Sequence, residues 1–331
     1  MPLHDTSYQH WDGVHLGLWR RRWVIARNGL AAALQNKWMR NLVVLCWFGG
    51  LAMIAMLFVV GQLLVADSVI VQWVGNLNPQ LQVFARMFTT WLEQHPEISV
   101  RTTQDVLFCF FGIFLMPVSI FALGMAMPVF ITRDLGSNAI IIYSSKAVSR
   151  GDYLMGKFAA AFGVLVLTWL GPVCTAWLVG NLLAPDWSFF WHARVPLCHT
   201  LIFGLSSMCI LSVLALGVSA VSPKEKTTIG LWYTAWILGG VVVPIATQTQ
   251  PWLRHLSFNF NIDQIALGVF QLGDDLKIAQ DNLPIFGSML SNIRPDTMAA
   301  LTAPATGGSV VALLLMAALA ALVVRKRVKP E

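Results

Sequence analysis

Charge is what this sequence has least of. Asp, Glu, Lys and Arg make up only 11% of its 331 residues, where a soluble globular domain carries about 25%. The deficit runs over the full length and argues against a water-soluble fold with a charged shell. Paired cysteines are missing as well. Cys46, Cys109, Cys174, Cys198 and Cys209 all fall in apolar runs with no CxxC pair, and they read as small packing residues. The seven histidines show neither HxxxH nor HExxH spacing, so no metal site is expected. There is no G-x-S-x-G, and no short apolar stretch with an A-x-A site near the start, which predicts neither a serine nucleophile elbow nor a cleaved signal peptide.

One run imitates a phosphate-binding loop without completing it. In "SRGDYLMGKF", residues 149–158, Gly151, Gly156 and Lys157 keep the G-x-x-x-x-G-K spacing, but Phe158 follows where a Ser or Thr would hold the magnesium ion. The nearest strand-like run, Ile140 to Tyr143, ends well before Gly151, and Lys157 leads straight into an apolar run. No ATP binding by this chain is expected.

Long apolar runs are what the sequence does have, with 56% hydrophobic residues. A membrane span needs about 20 mostly apolar residues, and six windows qualify, roughly 41–65, 106–131, 158–183, 195–221, 229–247 and 306–324. The expected fold is all-α: a single polytopic transmembrane domain over residues 1–331. Lys and Arg concentrate on the cytoplasmic side of a membrane protein. With the N-terminus inside, sixteen of the 22 basic residues fall on inner segments and six on outer ones, while the 16 acidic residues divide six inside and ten outside. Both termini are therefore expected in the cytoplasm. The net charge of +6 is accounted for by topology, and no nucleic-acid partner is expected.

Residues 15–40 carry Leu16, Trp19, Trp23, Leu30, Leu34 and Trp38 at helical spacing, with Arg20, Arg22, Arg27 and Lys37 mostly on other faces. This predicts an amphipathic helix in contact with membrane lipid at the inner interface. Outer segments 66–105 and 248–305 are long enough to fold. The first has an apolar stripe of Leu81, Phe84, Met87, Phe88, Trp91 and Leu92, and the second has the short amphipathic runs "IDQIALGVFQL" and "NLPIFGSMLSNI". Inside the six windows there is no Asp, Glu, Lys or Arg, and His199 near the outer end of the fourth is the only histidine. Ion-coupled carriers commonly place ionisable groups at membrane depth, and acid–base chemistry needs a titratable group in reach of the reacting atom. The chain reads as a membrane pathway without its own energy source or catalytic site.

Residues 132–160, "TRDLGSNAIIIYSSKAVSRGDYLMGKFAA", resemble the cytoplasmic connection between the second and third spans of ATP-binding-cassette type-2 permeases. The matching residues are Asp134, Gly136, Ser137, Ser149, Arg150, Tyr153, Gly156 and Lys157. Asp134 stands where Glu is usual, and Ala147 where Pro is usual. The resemblance implies the fold of that exporter family, six-helix halves that pair with a second copy or a related permease. It also implies a separate ATPase subunit that holds the ATP and Mg, and a bacterial plasma (inner) membrane location. Segment 132–157 would then couple to the ATPase. Ile140, Ile141, Ile142 and Tyr143 would fill a groove on it, and Arg133, Asp134 and Arg150, with Ser149, Tyr153 and Lys157, would complete the coupling set. The second and fifth spans of such a permease face the dimer axis. That makes Phe110, Phe111, Phe114, Trp232, Tyr233 and Trp236 candidates for lining the path, with no cofactor in this chain. Two other readings stay open: a channel or carrier without an ATPase, and an ATPase-linked anchor or mechanical subunit for a surface complex with an extracytoplasmic partner.

Overall fold

Asn36 divides what the apolar spacing suggests is one N-terminal helix. The computed structural model describes residues 17–63, 90, 96–139, 149–184, 186–242, 245, 250–274, 277 and 301–328. Its first two helices are α1, Leu18–Leu34, and α2, Lys37–Leu63. The Asn36 side chain accepts a hydrogen bond from the Trp38 N–H at 3.0 Å, a capping contact that starts a new helix. Lys37, Trp38 and Arg40 thus belong to the first span rather than to the interfacial helix. The chain continues through α3 (Pro96–Met127), α4 (Arg133–Gly136), α5 (Arg150–Leu165), α6 (Gly171–Leu182), α7 (Arg194–Ser219), α8 (Glu225–Ile237), α9 (Phe258–Phe270) and α10 (Thr306–Arg327).

Among the described residues there are helices and no strand. Five stretches are long and apolar enough to cross a membrane: Lys37–Gln62, Ser99–Gly136, Arg150–Leu182, Arg194–Ser219 and Thr306–Arg327. By length and composition the chain is an all-helical, multi-pass membrane protein. The remaining window, 229–247, is helical through α8 and a π segment, Leu238–Val242. It is not one of the five, and residues 243–244 and 246–249 lie outside those described. The run "IDQIALGVFQL" falls in α9 as far as Phe270, and the helix ends where Gln271 turns left-handed at φ 51°. The stripe residues Leu81, Phe84, Met87, Phe88, Trp91 and Leu92, the run 282–293 and the coupling residues Ile140, Ile141, Ile142 and Tyr143 lie outside the described residues.

The spanning helices overrun their apolar windows. Ser99–Gly136 is 38 residues long, about 57 Å at 1.5 Å per residue, against a hydrocarbon core of about 30 Å. The overrun brings Asp105 into the start of α3, and Asp152 and Lys157 into α5. The helices therefore carry charge at their ends that the apolar windows leave out.

α7 sits at the centre and packs on α3, α5, α9 and α10, burying Phe203, Met208, Leu211 and Ala215. α2 lies against α6, and α10 against α7. The most apolar windows of α2 and α10 are only 22% and 17% buried, against 50% for the helices of α3 and α7, so these two form the exposed apolar flanks of the bundle. α1 is laid on α5 through small residues. Ala26, Gly29 and Ala33 are buried. A methyl on Gly29 would stand 2.8 Å from Ala160 Cβ, and one on Gly156 would stand 2.7 Å from Ile25. Such residues let two helix backbones approach, while Trp19 and Trp23 stay exposed on the other side.

Candidate functional site

The C-terminal end of the second spanning helix is opened by Pro128 and held open by a hydroxyl from α7. Pro128 begins a π segment, Pro128–Thr132, a form that recurs at functional sites. Ser219 Oγ accepts from the N–H groups of Ile131 (2.9 Å) and Thr132 (3.2 Å) and donates to Met127 O (3.0 Å). The hydroxyl is inserted into the hydrogen-bond ladder of another helix, a recognised cause of a kink. Thr132 Oγ1 is within reach of Ser219 O (2.9 Å) and of Thr228 Oγ1 on α8 (3.2 Å). All three hydroxyl residues are buried.

One turn on, Asp134 becomes the hub. Its Oδ2 accepts from Tyr153 OH at 2.6 Å and pairs with Lys157 Nζ at 2.7 Å. Lys157 Nζ also donates to Val129 O at 3.0 Å, which ties it to the π segment. The Asp134 and Lys157 side chains are only 14% and 9% exposed, so the pair is sheltered from water and ion screening. Tyr153 and Lys157 share a face because they are four residues apart on α5.

The other motif residues bind their neighbours in the fold. Ser149 caps α5 by accepting from Asp152 N at 3.1 Å, and its hydroxyl donates to Asp152 Oδ2 at 2.6 Å. The free oxygen of Asp152 pairs with Arg22 of α1 at 2.6 Å. Arg150 Nη2 donates to Val324 O (3.4 Å) and to Arg325 O at the end of α10, where a helix leaves carbonyls without partners and favours a cation. Arg133 pairs with Glu225 of α8 at 2.8 Å, both about half exposed. Gly136 lies against the turn between α7 and α8, with its missing methyl 3.0 Å from Pro223 O. These motif residues are thus bonded to α1, α5, α8 and α10 at once. Lys157 lies two turns into α5 with its ammonium engaged by Asp134 and Val129 O.

Sequence reasoning pointed to Arg133, Asp134, Ser149, Arg150, Tyr153 and Lys157, and the structure brings all six into this network. It missed Arg22, Asp152, Ser219, Glu225 and Thr228. The one available signal was that "KEKTT", residues 224–228, places an acid between two lysines and two hydroxyls directly after them.

The aromatic candidates separate. Trp232 is buried, stacks on Phe258, and donates from Nε1 to Ile120 O at 3.0 Å. Tyr233 OH donates to Phe121 O at 2.9 Å. Both rings press on Gly124, where a methyl would meet them at 2.7–2.8 Å, so they lock α8 to α3. Phe111 is buried, while Phe110 and Phe114 are exposed at 54% and 68%. Trp236 borders an open cavity of about 380 Å³ between α3, α8 with its π extension, and α9.

At the opposite end of the bundle, Asp105 is fully buried. It is held by His199 Nδ1 of α7 at 2.9 Å and by Arg101 at 3.7 Å. Beside it Gln104 donates to Asn181 of α6 at 2.8 Å. These pairs close that end of α3, α6 and α7. Among the described residues no group of three His, Cys, Asp or Glu side chains could hold a metal. No protein-family model and no curated protein sequence matches the chain.

Proposed function

We propose that this chain is the transmembrane subunit of an ATP-driven exporter in a bacterial plasma membrane, with both termini cytoplasmic. In this reading a separate ATPase subunit binds its inner face, and a second permease pairs with it. The observation that carries the reading is the Asp134–Tyr153–Lys157 cluster. It is built from the residues that give the sequence its resemblance to type-2 permeases, and it joins the inner connection to two spanning helices. A push on that connection reaches α3 through the Asp134 hub and its π segment. It reaches α5 through Tyr153 and Lys157, α8 through Arg133–Glu225, and α10 through Arg150. A partly exposed pair such as Arg133–Glu225 is the kind a docking partner can exchange at small cost, while the sheltered pair behind it transmits.

The test is purification from the native membrane with every bound subunit retained. The expected result is a stoichiometric ATPase subunit whose hydrolysis is lost when it is stripped away, and no nucleotide binding by the chain alone. A chain that purifies without an ATPase and moves solute without ATP would replace this reading with the channel or carrier one.

A further inference from the structure

The cavity between α3 and α8 has apolar walls and an acid in one of them. Ile113, Met116 and Pro117 line one side and Trp236 another, and α9 adds Asn259 and Asp263, one helical turn apart. Asn259 Nδ2 donates to Trp236 O at 3.3 Å, so its oxygen is the group left over. Oδ1 of Asn259 and Oδ1 of Asp263 are both buried without a hydrogen-bond partner. Among the described residues no Lys, Arg or His forms an ion pair with Asp263. Buried polar atoms left unpaired are rare and call for a reason. Two such acceptors on residues lining an open cavity are available to a ligand's donors.

Complementarity defines the ligand. Two acceptors, one of them a carboxylate, ask for N–H donors and positive charge. The walls ask for an apolar body, and Trp236 adds an aromatic ring to the lining, a group that attracts cations. A volume of about 380 Å³ is within the range of small-molecule sites. We propose that this cavity binds amphipathic molecules bearing a protonated amine, held by Asp263 together with Asn259 and Trp236. Calling such an amine a transport substrate rests on the exporter reading, while its binding does not.

Burial pushes the Asp263 carboxyl up to about 6, so the acid is ionised at pH 7.5 and neutralised as pH falls through that value. Of the other titratable groups near α9, Asp105 pairs with His199 at 2.9 Å and with Arg101 at 3.7 Å, His255 faces Asn261 at 2.8 Å, and Arg254 lies over Phe260. Cys109 is buried in α3.

The experiment is equilibrium dialysis of the purified full chain in phosphatidylcholine nanodiscs with radiolabelled 4-phenylbutylamine. 4-Phenylbutanol and 4-phenylbutyrate serve as competitors. Saturable amine binding is expected, with little competition from the alcohol or the acid. Asp263→Asn should weaken it roughly tenfold to a hundredfold, the range for a hydrogen bond to a charged group. Binding to the parent chain should fall as pH drops below about 6, and the fall should be absent in Asp263→Asn, which separates this acid from His199 and His255. Gly240→Leu, which fills the cavity, should abolish binding in a chain that still folds by thermal unfolding. Equal competition by the alcohol, or unchanged binding in either variant, would overturn the proposal. Amine binding that depends on Asp263, in a chain that moves no amine across vesicles, would uphold the site and count against the transport reading alone.

Discussion

Asp134 and Lys157 are worth most as a pair. Each is almost buried, and removing one partner of a buried ion pair strands the other charge at a cost of about 3–5 kcal/mol. Asp134→Ala is therefore expected to lower thermal stability by roughly the low end of that range, since both groups keep a little solvent contact. Asp134→Ala with Lys157→Met should recover much of the loss. Thermal unfolding of the four members of the cycle checks this, and additive losses would contradict it. Asp263 makes the opposite prediction. A carboxyl whose folded value, about 6, lies above its ordinary 3.8 adds stability at pH below the ordinary value and loses it as pH rises through the folded one. Asp263→Asn should therefore melt higher than the parent chain at pH 7.5, and the difference should close by pH 4. A pH-independent difference would exclude the buried acid as its source. The sequence made Asp134, Tyr153 and Lys157 visible because they sit in one run of a recognisable motif. Their partners were not visible. Arg22 lies 130 positions from Asp152, and Ser219 reads as an ordinary small residue in an apolar span until its hydroxyl is found in another helix's ladder.

At the scale of elements, apolar length located the spans well and their ends poorly. Five of the six windows became helices of spanning length, since about 20 apolar residues admit few alternatives in a membrane. The ends escaped because hydropathy is blind to where helical hydrogen bonding stops, and the N-terminal break at Asn36 is set by one capping contact. The π segments are a matter of backbone bookkeeping. In Val166–Leu170 the Gly171 N–H bonds to Val166 O, and Pro172, next in that pattern for Leu167 O, has no N–H. Trp47 Nε1 of α2 supplies the missing donor to Leu167 O at 3.0 Å. Trp47→Phe is expected to cost about 1–3 kcal/mol, because a carbonyl facing the apolar part of a membrane finds no water to replace the lost donor. Comparing its thermal unfolding with that of Trp38→Phe, a tryptophan 71% exposed on the same helix, isolates the hydrogen bond. Equal effects would show that Leu167 O has another donor.

At the scale of the molecule, the Asp134 network and the Asp105 pairs clamp the bundle at two ends and leave the cavity between α3 and α8 in the middle. Orientation can be checked first. In a cysteine-free background, Trp187→Cys should label from outside and Lys224→Cys from inside, as the charge bias requires, and reversal would invert the proposed topology. The central claim is that the Asp134 hub passes work from an ATPase to the spanning helices. It is tested most directly by reconstituting the chain with its co-purified ATPase in vesicles and measuring hydrolysis and transport together for the parent chain and Asp134→Asn, which keeps the shape and removes the charge. The account predicts that Asp134→Asn retains the ATPase and hydrolyses ATP but moves little substrate per ATP. Undiminished transport per ATP in that variant, with Lys157 left unpaired, would contradict it.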